Sequence, residues 1–144
     1  MGQSSGARSG TWQERYTRFL EQFMQRYHAR LKQQRERVGE SQRWYEERCI
    51  LDASIKALEH SLVSQRVFAA TSGPLAVDPQ NDVSAWLTLH DSWSVAARND
   101  KLPIAKRLTA KGFAAVYRHL ASRVRQHFRD AKYIREAIRE RRAA

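Results

Sequence analysis

The side chains with the most chemistry to offer are five histidines, one cysteine and a dense set of arginines. His28, His60, His90, His119 and His127 never fall four apart, and no H-E-x-x-H run occurs, so the helical pair that holds a zinc ion is missing. His127 and Asp130 are three apart and could orient an imidazole, although a surface pair on a basic helix is the simpler reading. His90 and Asp91 are adjacent and point in different directions on a helix. Cys49 lies among apolar neighbours, where a buried, inert thiol is the default. As the single cysteine, it allows neither an intramolecular disulfide nor a thiolate metal cluster. The six glycines are scattered and build no phosphate-cradling loop. These residues predict no enzyme, no cofactor and no metal site.

The arginines point to binding. The chain carries 26 Lys and Arg against 15 acidic residues, a net charge of +11. The excess is segregated: residues 1–40 are near +4, residues 41–98 near −2, and residues 99–144 near +9. Arg118, Arg125, Arg129, Lys132, Arg135, Arg139, Arg141 and Arg142 are the expected contacts to an anionic surface. Guanidinium groups suit bidentate contact with phosphates or carboxylates. The partners such a field attracts are nucleic acid, anionic lipid or an acidic protein face. No zinc-finger spacing, RRM signature or helix-turn-helix is recognisable, which argues against a known nucleic-acid module. The last helix is basic and amphipathic, but a dense Leu/Phe/Trp edge is missing, so membrane-surface contact is a minor expectation. No apolar run approaches the eighteen residues of a transmembrane helix.

Aromatics interleave with basic residues in Arg15-Tyr16, Arg18-Phe19 and Arg26-Tyr27. Such a pattern could stack bases. Trp12, Tyr16, Phe19, Phe23 and Tyr27, however, recur at steps of three and four, as the packing face of a helix requires. Trp86 and Trp93 are seven apart and share a face, and they are also assigned to packing or an interface.

Helices must position all of these groups. The first ten residues are small and polar and read as a tail. Thr11-Trp12-Gln13-Glu14 reads as a capping box, with Glu14 reaching back to the Thr11 N–H. The first helix should stop at Gly39, and Ser41 should cap a second with an apolar line through Trp44, Leu51, Ile55, Leu58 and Leu62, with Ile50 and Val63 beside it. Residues 11–70 thus predict an antiparallel helical hairpin. Residues 71–82 form a loop, and residues 83–144 a helical region with a basic end. Asp82 or Asp78 caps the third helix, whose face carries Trp86, Leu89, Trp93 and Ala96. Pro103 opens the fourth, in which Gly112 either kinks the helix or admits another backbone. Unbroken to residue 142, that helix would span ~60 Å, so it either breaks near Arg129-Asp130 or projects from the body. The fold class is therefore all-α, a single domain, either compact or extended at its C-terminal helix.

Val116-Tyr117-Arg118, followed by Arg125 and by Tyr133-Ile134-Arg135, resembles the LYR-motif proteins, small basic helical subunits of mitochondrial complexes. The resemblance covers about the last thirty residues, has Val for the first motif letter, and transfers no functional residue. It implies a mitochondrial setting, in keeping with residues 1–13 holding no acid. The start has neither the apolar core of a secretory signal nor the myristoylation pattern, so an intracellular protein is expected. The expected function is a non-catalytic accessory subunit of a large multiprotein assembly, docking through aromatic helix faces and the basic C-terminal helix. An RNA- or DNA-binding helical protein, such as a ribosomal subunit, is the alternative.

Overall fold

The computed structural model describes residues 11–73 and 76–128, together with Arg139 and Arg142. Among the described residues there are four long helices and no strand: α1 Trp12–Val38, α2 Tyr45–Ser72, α3 Pro79–Ala97 and α4 Ile104–Phe128. The fold is all-α.

Local chemistry sets the helix ends. Thr11 Oγ1 accepts from the Glu14 N–H at 3.2 Å. Its hydroxyl also donates to Glu14 Oε1 at 3.3 Å, so the carboxylate engages the cap hydroxyl and not, as expected, the Thr11 N–H. Gly39 ends α1 at φ 67°, a conformation that costs glycine least. Ser41 caps a 3-10 turn, Gln42–Trp44, and α2 begins only at Tyr45. Asp78, not Asp82, caps α3, with Pro79 in its first turn and the Gln80 N–H bonded to Asp78 Oδ1 at 3.0 Å. The expected loop 71–82 therefore yields residues to helix at both ends, with α2 running to Ser72 and α3 starting at Pro79. Asp82 falls one helical turn inside α3, where its carboxylate is available for other contacts.

Pairings fix the topology. Glu21 with Arg66, His28 with Glu59 and Arg35 with Asp52 run in opposite chain directions, which makes α1 and α2 an antiparallel hairpin. Trp93 packs on Phe113, and His90 Nδ1 meets the Ala114 carbonyl at 2.9 Å, setting α3 against α4. Phe19 stacks on His127 and Tyr27 on His119, so α1 and α4 also run opposed. An up-down-up-down bundle results, as short connections between long helices favour. Leu20, Met24, Leu58, Val116, Leu120 and Val124 lie fully enclosed at its centre.

The expected line of α2 holds at Leu58, which is buried, and at Leu51, Ile55 and Leu62, which pack partly buried against the core, but it fails at its edges. Trp44 and Val63 are 42% and 58% exposed, whereas Ala53, Ser54, Ala57 and Leu58 are buried. The cause lies in α4. A Cβ on Gly112 would sit 2.5 Å from the Ile50 carbonyl oxygen and 2.7 Å from Ala53 Cβ, so the two helices touch nearly backbone to backbone. Ser54 Oγ donates to the Ile50 carbonyl at 2.8 Å and lies 3.2 Å from that of Gly112. Only small side chains fit such a crossing, which rotates the small-residue stripe of α2 inward. Gly112 admits a neighbouring backbone. Leu89, expected on the buried face of α3, is 40% exposed.

Candidate functional site

The inner side of α4 packs Leu108, Phe113, Val116, Tyr117, Leu120 and Val124 into the bundle. Its outer side is basic. Between residues 104 and 128 the sequence holds six Lys or Arg and no Asp or Glu. Lys111, Arg118 and Arg125 are exposed and follow one another at seven-residue steps, which places them along one line of the helix. Arg118 and Arg125 are separated by ~10 Å of helix rise. With Ser122, Gln126 and Leu87 of α3, they border a shallow groove of about 520 Å³.

Ion pairs are distributed unevenly over the bundle. Arg35 bonds Asp52 at 2.6 Å and Glu40 at 2.7 Å, which holds the Glu40 carboxyl below its usual range and raises the Arg35 guanidinium. Arg66 reaches Glu21 at 2.6 Å, and His28 reaches Glu59 at 2.9 Å. These pairs tie α1 to α2 and to the turn between them. On α4, Arg107 meets Asp100 at 4.0 Å, while Lys106, Lys111, Arg118, Arg123 and Arg125 have no acidic partner among the described residues. Arg139 and Arg142 are helical and exposed. Arg129, Lys132, Arg135 and Arg141 lie outside the described residues, as does the Arg129-Asp130 break point. Of the eight expected anionic contacts, the structure brings Arg118 and Arg125 to one groove.

The aromatic residues turn inward. Tyr16 and Phe23 are buried, and Trp12, Phe19 and Tyr27 pack partly buried against the core. Phe19, Phe23 and Tyr27 form a ladder with successive ring centres 6.0 Å apart. Two histidines of α4 complete it: His127 lies 3.7 Å from Phe19 in parallel, and His119 lies 4.5 Å from Tyr27. Burial holds the His119 imidazole below its usual pKa, with the nearby Arg30 and Arg123 adding to the effect. Among the described residues its enclosed Nε2 has no hydrogen-bond partner. Trp86 is buried, and Trp93 packs 4.6 Å from the Phe113 ring. The roles of His119 and His127 went unrecognised because neither sits at a motif spacing. The signal was there: both fall on the flank of α4 that continues its apolar stripe.

Among the described residues, no group of three or more His, Cys, Asp or Glu could hold a metal ion, and no helix is long and apolar enough to cross a membrane. Compared with protein-family models, with curated proteins and with solved structures, the chain shows no significant match to any, the LYR-motif family included.

Proposed function

We propose that this protein is a non-catalytic helical subunit of a larger assembly, docking on an acidic protein surface through Lys111, Arg118 and Arg125 of α4. The observation that supports the reading is the uncompensated charge of α4: six cations, no acid within the helix, and its outer arginines without acidic partners. Exposed charges ~10 Å apart are separated by about one Debye length at 0.1 M salt, so each arginine acts nearly independently. A partner would then engage them one by one, through carboxylates placed to accept the guanidinium fork. The aromatic stripe of α1 is occupied within the bundle, which leaves the basic face as the docking element.

Sedimentation of native extract tests this reading. The wild-type chain should migrate with a high-mass assembly, and the R118E/R125E variant should not. Free migration of the wild-type chain would end the proposal. RNase treatment should leave co-migration intact. If instead RNase releases the chain, and RNA affinity falls with salt at a log–log slope of about −0.7 per phosphate, the nucleic-acid reading replaces it.

A further inference from the structure

The other flank of α3 carries a second concavity, unlike the arginine groove in every chemical respect. It lies between the C-terminal half of α2 and the first turns of α3, has a volume of about 460 Å³, and is floored by Met24 and Tyr117. This falls within the ~300–1,000 Å³ typical of small-molecule sites.

Two carboxylates stand in its wall. Asp78, the N-cap of α3, and Asp82, in its first turn, both line the cleft. One oxygen of each is engaged: Asp78 Oδ1 accepts from the Gln80 N–H, and Asp82 Oδ2 accepts from the Tyr16 hydroxyl at 2.8 Å. The remaining oxygens have no cationic partner among the described residues, in a chain of net charge +11. Burial pushes the Asp82 carboxyl above its usual range, the Tyr16 hydrogen bond opposes this, and the neighbouring Asp78 charge raises it further. Two like charges beside an apolar wall are mutually unfavourable, and a cation between them relieves both.

The rest of the lining suits an organic cation better than a bare metal ion. Trp86, Phe68 and Tyr117 contribute aromatic surface, and ring faces attract ammonium and guanidinium groups. Phe68 is 41% exposed and, with Leu89, leaves apolar surface uncovered at the mouth. Among the described residues no three His, Cys, Asp or Glu come together to hold a metal ion, so the two carboxylates are short of the charged ligands a calcium site gathers.

We propose that this cleft binds a small organic cation, an ammonium or guanidinium group on an aromatic or aliphatic body. Asp82 and Asp78 take the charge, and Trp86 and Phe68 take the body. The proposal is independent of the docking role of α4.

Titration of the full chain with phenethylammonium and benzylguanidinium, followed by amide and indole NMR shifts, tests it. Phenethyl alcohol serves as the neutral analogue. Shifts should centre on Ser64, Gln65, Asp82 and the Trp86 indole, and affinity for the alcohol should be at least about tenfold weaker. D78N/D82N should lose about tenfold or more for the cations, and S64F, which fills the cleft from its rim and keeps both carboxylates, should do the same. S64F keeps the test decisive if the charge variant does not fold. Equal binding of alcohol and cation, unchanged affinity in S64F, or no cation-induced shift up to about 10 mM would each overturn the proposal.

Discussion

Replacing Gly112 with alanine probes the contact that orients α2 against α4. The new methyl would lie 2.5 Å from the Ile50 carbonyl oxygen, 2.7 Å from Ala53 Cβ and 3.0 Å from the Ser54 nitrogen. Two of those three atoms are backbone, so no rotamer change can relieve the clash. The helices must separate. Overpacking of a close-packed site costs about 1–3 kcal/mol. Separation also lengthens the contact from Ser54 Oγ to the Gly112 carbonyl, already 3.2 Å, and a lost hydrogen bond adds ~1 kcal/mol. Against this, alanine in place of glycine within a helix gains about 1 kcal/mol. The net expectation is a loss of ~1–3 kcal/mol, a shift of about five- to 160-fold in the folding equilibrium. Urea unfolding followed by circular dichroism reads this as a lower midpoint at unchanged slope. In G112A/A53G the Cβ–Cβ contact is removed while the carbonyl contact remains, so rescue should be partial. A G112A protein as stable as wild type, or more stable, would refute the close crossing and with it the inward rotation of Ala53, Ser54 and Ala57.

Three further outcomes follow from named contacts. Tyr16→Phe removes the hydroxyl that donates to the half-buried Asp82 and should cost about 1–3 kcal/mol by chemical denaturation, an unchanged midpoint showing that the bond does not stabilise the fold. His119, whose imidazole is held below its unfolded value of 6.5 by burial and then by Arg30 and Arg123, should make stability pH-dependent. Above pH 6.5 both states are neutral there; as pH falls below it, the unfolded chain takes up a proton that the folded chain refuses, so stability is lost until the lower folded pKa is reached. Melting wild type and His119→Gln at pH 7.5 and in the acidic range should give a smaller acid loss in the variant, and identical losses would refute this role. The R118E/R125E variant should unfold within about 0.5 kcal/mol of wild type, because neither side chain has an acidic partner among the described residues, and a larger loss would mean that these arginines hold the fold.

Much of this architecture was legible one helix at a time. The Thr11 cap, the stop at Gly39, the Pro79 start and the ring stripe of α1 are interactions within one or two turns, so adjacent residue types suffice to predict them. Charge segregation could likewise be read directly, and with it the basic outer face of α4. The face of α2 could be read only in part. Its line through Leu51, Ile55, Leu58 and Leu62 does meet the core, yet Trp44 is exposed, and the small residues Ala53, Ser54 and Ala57 are buried beside that line, selected by a glycine 58 residues beyond Ser54.

Helix periodicity, capping and net charge thus belong to the chain read in order, because each depends on residues within about four positions of one another. Which stripes meet is a property of the assembled bundle. It depends on how closely two backbones can approach, and that is set by pairs far apart in sequence, such as Gly112 with Ile50 and Ala53. The same non-local choice places Tyr16 against Asp82, His119 beneath Tyr27, and Leu87 beside Arg118 and Arg125. No local pattern encodes these meetings, since each involves two surfaces whose relative rotation is settled only when all four helices pack.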